Sequence, residues 1–373
     1  MTFLILSADY SAFLRWLYTQ HPGLEGRSYK EQKLIRVESL FGGPYQYADN
    51  LKNLGHEAND IYVNNEGMQK AWAREHGLRL SGDWRWEFRL RRGLVPWISR
   101  IKDQRWLYDI LAAQIRYHKP DVLFNQAMDT LSSRFLQEMK PDARLLVGQI
   151  AAPLPQGVDW SVHDVVISSL PNLVAHFRSI DVPSELNRLA FDPAVLSSLG
   201  EVEPEFDASF VGSLHPAHAT RIAWLEHLCS HLEMNVWANG VERLRDDSPI
   251  RSRCVGTAWG VEMYQIFHRS KMTLNHHIGT AGPYANNSRL YEATGVGTLL
   301  VTDWKEDLEE IFIPGKEVVA YRSPEECLEL IQHYLTHEDE RKAIAAAGQQ
   351  RTLQEHTYFQ RTQELTDVIS KYL

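Results

Sequence analysis

Short apolar runs alternate with amphipathic stretches along the first half of the chain. Each run is bounded by polar, glycine or proline residues, which is typical of strands buried on both faces of a parallel sheet. The runs predict strands over Phe3–Ala8, Glu57–Val63, Asp121–Gln126, Arg144–Ile150 and Asp164–Ser168. Helical patterns lie between them, among them Tyr47–Leu54, which ends at Gly55, and Trp106–Tyr117, which is closed by Pro120. This alternation predicts an α/β fold with right-handed crossovers and a doubly wound sheet.

The same alternation starts again near residue 207. The predicted strands of this second half are Ala208–Val211, Met234–Ala238, Met272–His276, Thr298–Thr302 and Glu317–Tyr321. The predicted helices are Thr220–Leu232, Val261–Arg269, Ser288–Thr294, Glu306–Phe312, Pro324–Thr336, Glu338–Thr352 and Gln360–Tyr372. Between the halves, Phe191–Glu205 carries two prolines and turns acidic, and we interpret it as a linker. Two such domains in tandem leave a cleft between the carboxyl ends of their strands, where ligands bind.

Composition and charge exclude several classes of protein. The 373 residues are 44% hydrophobic and 23% charged, which disfavours disordered, collagen-like and coiled-coil chains and suits two or more globular domains. A net charge of −9 disfavours a general nucleic-acid binder, which needs a basic surface. The three cysteines (Cys229, Cys254 and Cys327) are far apart and predict neither a disulfide framework nor a zinc site. Because no apolar run is long enough to span a bilayer and no basic leader is present, we expect a cytoplasmic protein.

One segment, Trp84–Arg105, is rich in arginine and tryptophan. Its basic residues and tryptophans are Arg85, Arg89, Arg91, Arg92, Arg100, Lys102 and Arg105, with Trp84, Trp86 and Trp97. The charges alternate with apolar residues at a helical spacing, which favours a solvated helical face above packed tryptophans. The alternative is a surface that docks an anionic acceptor, a membrane or a partner protein.

The segment His276–Gly315 carries the candidate chemistry. It predicts a strand, a glycine-rich loop and then a helix, which is opened by Asn286, Asn287 and Ser288. Free backbone N–H groups and the helix dipole make such a helix start an anion site. Arg289 can add a bidentate fork to a phosphate, and Glu292, one turn later on the same face, can accept hydrogen bonds from a ribose diol. The pattern suits a nucleotide diphosphate; the alternative is a set of helix caps with an intrahelical ion pair.

These residues lie in the run NNSRLYEATGVGTLLVTD, and EEIFIPGKEVVAYRSPEECLELIQHYLTHEDERKAIAAAGQQRTLQEHTY follows it. Together they resemble the C-terminal domain of GT-B glycosyltransferases, and most closely the spore-maturation, CgeB-like group. The group's R-x-x-E-A-x-x-x-G pattern falls on Arg289, Glu292, Ala293 and Gly297. Upstream, FDASFVGSLHPAHATRIAWLEHL resembles the opening of that domain, with Arg221, and YADNLKNLGHE and NNEGMQKAWAREHG resemble its N-terminal half.

The resemblance implies two Rossmann-like domains that face a cleft. Residues 1–195 would form the acceptor side, residues 196–355 the nucleotide-sugar side, and residues 356–373 a helix that packs back toward the N-terminal domain. Glu292 would hold the ribose, and Arg289 with nearby backbone would hold the diphosphate. Gly212 and Ser213 would face the phosphates, and either His215 or His276 could donate a hydrogen bond to one of them.

Two positions depart from the pattern of related enzymes. Many retaining GT-B enzymes carry a second glutamate eight residues before the ribose-binding one, and Tyr284 stands there in this chain. Those enzymes often place a Gly-Gly loop directly after the first strand, whereas here Gly42 and Gly43 follow an insertion, Tyr10–Phe41. We expect this insertion to shape the acceptor side.

Metal binding is not expected. His276 and His277, with His215 and His218, match no zinc signature, and no D-x-D sequence stands where a diphosphate-bound metal would sit. An inverting reaction would need a general base on an N-terminal loop. Asp9, which we slightly prefer, and Asp129 are the candidates, because each follows a predicted strand, although each could instead cap a helix.

We therefore expect a metal-independent glycosyltransferase of the hexosyltransferase type. Its donor would be a nucleotide-diphosphate sugar of UDP type, and its acceptor a glycan, a lipid-linked molecule, a peptide or a small molecule. The alternatives are a nucleotide-sugar epimerase on the same fold and a non-catalytic nucleotide-sugar or glycan binder.

Overall fold

The computed structural model describes residues 1–80, 84–91, 95–102, 105–215 and 219–373. Within these ranges the chain forms two six-stranded parallel sheets and one two-stranded antiparallel sheet. The strands are β1 (Thr2–Ser7), β2 (Glu57–Tyr62), β3 (Trp84–Arg91), β4 (Val95–Lys102), β5 (Val122–Asn125), β6 (Leu145–Gln149), β7 (Val165–Ser168), β8 (Ser184–Leu186), β9 (Phe206–Ser213), β10 (Asn235–Asn239), β11 (Cys254–Gly256), β12 (Ser270–Leu274), β13 (Leu299–Asp303) and β14 (Val319–Tyr321).

The helices cover both faces of the two large sheets. They are α1 (Ser11–Gln20), α2 (Tyr29–Glu38), α3 (Pro44–Asn53), α4 (Glu66–Glu75), α5 (Arg105–His118), α6 (Ser133–Met139), α7 (Pro171–Ser179), α8 (Ala219–His231), α9 (Pro249–Arg253), α10 (Val261–His268), α11 (Arg289–Gly295), α12 (Pro324–Thr336), α13 (Glu338–Glu355) and α14 (Tyr358–Ser370). None of the helices in the described ranges is long and apolar enough to cross a membrane.

The first sheet has the strand order β2-β1-β5-β6-β7-β8 and the second β11-β10-β9-β12-β13-β14. In β1, Leu4 and Leu6 pack into the core on one face, and Phe3 and Ile5 pack into the core on the other. Burial on both faces explains why the strands read as continuous apolar runs. The predicted α/β fold with two doubly wound sheets is confirmed, and each predicted strand has a counterpart.

The C-terminal helix α14 packs on the first sheet. Leu365 and Ile369 share a buried cluster with Phe3 and Ile5 of β1. The segment that leads into α14 passes Phe191, and the N–H of Phe191 donates to the carbonyl of His356 in that segment (2.8 Å). The domain boundaries at residues 195 and 355 stay predictions.

Three expectations about local structure were wrong. Residues 84–91 and 95–102 form an antiparallel hairpin and not a helix, in keeping with apolar residues at every second position from Trp84 to Leu90. The predicted helix Glu306–Phe312 is a single 3-10 turn, Leu308–Glu310. The stretch Phe191–Glu205 is not a free linker throughout, since Phe191 and Val195 are buried in the C-terminal core.

The predicted docking surface depends on side chains of residues 84–102, and these side chains, with residues 92–94 and 103–104, lie outside the described residues. The insertion Tyr10–Phe41 folds into helices α1 and α2 with a short 3-10 turn between them. Gly42 and Gly43 then lead directly into α3.

Candidate functional site

The candidate donor site lies where β9, β12 and β13 end. These strands are parallel neighbours in the second sheet, so their carboxyl ends meet at one edge. Helix α11 begins beside that edge and carries Arg289 and Glu292 in its first turn. In open α/β sheets this edge is where ligands bind.

Arg289 and Glu292 form an ion pair at this edge. Arg289 Nη1 donates to Glu292 Oε2 (2.7 Å), and Arg289 Nη2 donates to the carbonyl of Val211 near the end of β9 (2.9 Å). Burial raises the pKa of Glu292, and the charge of Arg289 lowers it in part. Burial also lowers the pKa of Arg289, against the opposing charge of Glu292. The two side chains are 12% and 15% exposed, so their charges act in a poorly solvated environment.

The start of α11 differs from the expected anion site. Asn287 Oδ1 accepts from the N–H of Arg289 (3.0 Å), and Asn287 Nδ2 donates to Asn275 Oδ1 (2.8 Å). The next N–H groups of the helix, at Leu290 and Tyr291, bond to carbonyls of the same turn. The N–H groups of Arg289, Leu290 and Tyr291 are therefore occupied within the chain, and Asn287 acts as a cap that connects α11 to the residue after β12.

The other two small polar residues of this turn make no such tie in the described structure. Asn286 is half-buried, and Ser288 is exposed at the N-cap, where its side chain forms no capping hydrogen bond. Both stand next to Asn287, and their role in donor binding stays a prediction.

Arg221 links the ends of β9 and β12. Its guanidinium donates to the carbonyl of His276 (2.7 and 3.0 Å) and to that of Ser213 (3.4 Å). Burial and then the nearby charge of Arg289 lower the pKa of Arg221 to about 10. Two guanidinium groups therefore act on the same sheet edge and favour an anion there.

The four residues predicted to face the phosphates, Gly212, Ser213, His215 and His276, lie at or just after the ends of β9 and β12. A Cβ at Gly212 would lie 2.9 Å from the Phe210 ring, so the ring covers Gly212 on the same face of β9. His276 stacks on Trp224 (ring centroids 5.3 Å), and burial lowers its pKa, which favours a neutral imidazole. His215 stands two residues after the end of β9 and is exposed. His218 lies outside the described residues.

Sequence reasoning missed a buried group at the end of β13. Asp303 Oδ1 accepts from both the backbone N–H (2.8 Å) and Nδ1 (2.6 Å) of His277, and Lys305 Nζ lies 3.2 Å from Asp303 Oδ2. Burial acts to raise the pKa of Asp303, but the hydrogen bond and charge of His277 hold it well below its usual range. The sequence signal that could have identified this group is the pair of charged residues, Asp303 and Lys305, at the end of a predicted strand. Within the described ranges, no three His, Cys, Asp or Glu side chains come together as a metal site.

The N-terminal half contributes Asp9, Tyr10 and Asp129. Asp9 is buried, and both of its carboxylate oxygens accept from Arg36 (2.6 to 3.1 Å). Asp129 follows β5 and is exposed, with one oxygen bonded to the Thr130 hydroxyl (3.2 Å). Of the two candidate bases, Asp129 is the one whose carboxylate faces solvent.

Tyr10 follows the candidate base Asp9. Its side chain is 70% exposed, and its ring lies beside that of Phe41 at the end of the insertion (centroids 6.0 Å). Tyr284 packs against a buried cluster that contains Met128 and Ile150 of the N-terminal half.

Comparisons with known proteins bear on the family of the second half of the chain and on the fold. Residues 221–367 match the glycosyl transferase-like family, a span that includes Arg221, Arg289 and Glu292. No curated protein is a significant match to the sequence.

Solved structures match the chain over its whole length. HepE of Anabaena, solved with UDP and glucose, is 12% identical, with 100% of both chains covered and a TM-score of 0.59. AviGT4, a glycosyltransferase involved in avilamycin A biosynthesis, is 14% identical, with 98% of this chain and 96% of that chain covered and a TM-score of 0.54. An α-glucosyltransferase solved with UDP-glucose and DNA is 12% identical, with 99% of both chains covered and a TM-score of 0.59. The chain thus has the GT-B fold, and its residues 221–367 match the glycosyl transferase-like family.

Proposed function

We propose that the chain is a glycosyltransferase that moves a hexose from a nucleotide-diphosphate sugar to a separate acceptor. The observation that carries the proposal is the poorly solvated Arg289–Glu292 pair at the end of β9, inside the segment that matches the glycosyl transferase-like family. A carboxylate accepts hydrogen bonds from ribose hydroxyls, and a guanidinium donates to phosphate oxygens. The pair offers both functions within one helical turn.

We propose UDP as the nucleotide of the donor. HepE of Anabaena was solved with UDP-glucose, and so was the α-glucosyltransferase, and both share the fold of this chain. Transfer would be independent of a metal, because the charges of Arg221 and Arg289 can stabilise the leaving diphosphate. The roles of Gly212, Ser213, His215 and His276 toward the phosphates belong to this proposal.

For an inverting reaction we propose Asp129 as the general base. Both oxygens of Asp9 accept hydrogen bonds from Arg36, so its lone pairs are engaged before an acceptor arrives. Asp129 is exposed after β5 and can reach a hydroxyl in the cleft. The acceptor is a glycan, a lipid-linked molecule, a peptide or a small molecule. The CgeB-like assignment and the cytoplasmic location stay predictions.

Thermal shift with UDP, GDP, dTDP, CDP and ADP, each in the presence of EDTA, tests the donor. A ligand at 100 times its Kd adds about 2.7 kcal/mol of stability, enough for a shift of a few degrees. We expect UDP to give the largest shift. If no nucleotide shifts the melting temperature while millimolar titration calorimetry also shows no heat, the donor proposal is wrong.

A non-catalytic binder is the second candidate, and Tyr284 favours it. The position that carries a sugar-contacting glutamate in many retaining enzymes is here a tyrosine, which packs against the buried cluster that contains Met128 and Ile150. Binding of a UDP-sugar without release of UDP, across a panel of glycan, lipid-linked, peptide and small-molecule acceptors, would support the binder. Release of UDP together with a glycosylated product would exclude it.

A further inference from the structure

The helical insertion contacts the second half of the chain at the start of α10. The carbonyl of Ser39, just after α2, accepts from the N–H of Val261 (2.9 Å). Val261 is the first residue of α10, and the first N–H groups of a helix have no partner within it. The insertion thus caps a helix that belongs to the nucleotide-binding half.

This contact requires a glycine and is covered by aromatic rings. Gly260 has a φ of +53°, and a Cβ there would lie 1.9 Å from the Ser39 carbonyl oxygen. Next to it, the Trp259 ring packs edge-on against Phe41 (centroids 5.1 Å) and against Phe13 (5.9 Å). The close approach and the ring contacts fix the loop after α2 against the start of α10.

A buried ion pair holds the loop in that place. Arg36 is fully buried and pairs with Asp9 (2.6 Å) directly after β1. The same guanidinium donates to the carbonyls of Phe41 (2.7 Å) and Gly42 (3.0 Å). Because its five hydrogen bonds end on one carboxylate and two loop carbonyls, the guanidinium fixes the loop relative to the end of β1.

The other side of α10 supports Arg289. The Arg289 guanidinium lies 4.1 Å from the centre of the Phe267 ring, and its Nη1 lies 3.4 Å from the sulfur of Met263. Met263 and Phe267 are both buried in the C-terminal core. A shift of α10 would therefore move the surface on which the Arg289–Glu292 pair rests.

We propose that Ser39, Trp259 and Gly260 are positioning residues for the donor site. By holding the start of α10, they fix Met263 and Phe267, and these fix the guanidinium of Arg289. The insertion would thereby set the affinity of the chain for a nucleoside diphosphate, although it lies on the opposite half. This inference rests on the proposed function, because it assumes that Arg289 and Glu292 bind that ligand.

Titration calorimetry of UDP against the full chain tests the inference with two matched tryptophan variants. Trp259→Ala removes the contact of the Trp259 ring with Phe13 and Phe41, which joins the two halves. Trp16→Ala removes a ring that stacks on Phe13 within the insertion (centroids 5.7 Å). We expect Trp259→Ala to weaken UDP binding by about 2- to 30-fold, the range for changes along a coupling path. Trp16→Ala should change it less than twofold, and Trp259→Phe should restore it.

Equal losses in the two alanine variants, or no loss in Trp259→Ala, would overturn the inference. Wild-type chain that binds no UDP would instead overturn the proposed function, so the two failures are distinguishable. A double-mutant cycle with Glu292→Gln adds a second readout. If Trp259 acts through the Arg289–Glu292 pair, its effect shrinks in the Glu292→Gln background, whereas additive effects contradict the proposed route.

Discussion

Phe191 packs directly on Gly295, and a Cβ on Gly295 would lie 2.5 Å from the ring carbons of Phe191. Phe191 stands where the chain passes from one half to the other, and its carbonyl accepts from the N–H of Tyr358 at the return crossing (2.9 Å). Gly295 is the last residue of α11, the helix that carries Glu292. The crossing between the halves is therefore packed against the helix of the candidate donor site.

Gly295→Ala tests that packing. The added methyl group must displace a buried ring, and overpacking of this kind costs about 1–3 kcal/mol. We expect a lower Tm by differential scanning calorimetry. Gly279→Ala is the control, since Gly279 is exposed and a Cβ there would meet nothing within 4 Å. Equal Tm values for the two variants would show that the ring moves aside freely.

Glu292→Gln tests the ribose contact. The substitution keeps the shape of the side chain but removes the charge that strengthens its hydrogen bonds, and the loss of such bonds costs about 1–3 kcal/mol. We expect UDP to bind more weakly by that amount in titration calorimetry. Glu309→Gln, at an exposed glutamate of the same half, should leave the affinity unchanged. Unaltered binding in Glu292→Gln would mean that Glu292 serves only as the partner of Arg289.

Asp129→Asn tests the general base. Removal of a general base lowers kcat by about 10²–10⁴-fold, since base catalysis contributes that much. The Kd for UDP should stay the same, because Asp129 lies on the other half of the chain. Steady-state transfer rates and UDP titration together separate the two effects. A variant that keeps its kcat would exclude Asp129 and favour a reaction that needs no such base.

Strands were predictable from the sequence because burial on both sheet faces leaves uninterrupted apolar runs, as in β1 and β13. The edge strands β8 and β11 were not, since each has three residues and too little apolar pattern. Strands β3 and β4 were misread as a helix because the strict alternation of β3 is not kept in β4, where the apolar residues Trp97 and Ile98 are adjacent, and the charges of the whole segment were fitted to a helical period.

Some contacts of the candidate site could likewise be predicted from the sequence, and others could not. Arg289 and Glu292 could be paired from the sequence, because residues three apart on a helix share a face. The bond between His277 and Asp303 spans 26 residues, and that between Arg221 and the His276 carbonyl spans 55. Such pairs depend on which strands become neighbours in the sheet. The spacing of residues along the sequence does not determine that strand order. The partner of Asp9 was hidden for the same reason, since Arg36 lies in the insertion.

His356 predicts how stability depends on pH. It is buried, its Nε2 bonds to the Ile311 carbonyl (3.0 Å), and its Nδ1 accepts from Arg361 (2.8 Å), which fits a neutral ring. Burial, followed by the charge of Arg361, lowers its pKa to about 4 from 6.5. As the pH falls, His356 therefore takes up a proton in the unfolded chain before it does so in the folded chain, which favours the unfolded state. The contribution of the neutral His356 to the free energy of unfolding is complete above pH 6.5 and is lost as the pH falls toward 4. One such group contributes a slope of up to about 1.4 kcal/mol per pH unit in that window.

Urea unfolding of wild type and His356→Asn from pH 7.5 to 4.5 measures this slope. The variant should be less stable at pH 7.5, because Arg361 and the Ile311 carbonyl lose their partner, and its stability should fall less steeply below pH 6.5. The remaining slope comes in part from His163, whose pKa burial also lowers to about 4. His333→Asn, at an exposed histidine, serves as the control and should follow the wild-type curve. Parallel curves for wild type and His356→Asn would mean that His356 is not held neutral in the folded chain.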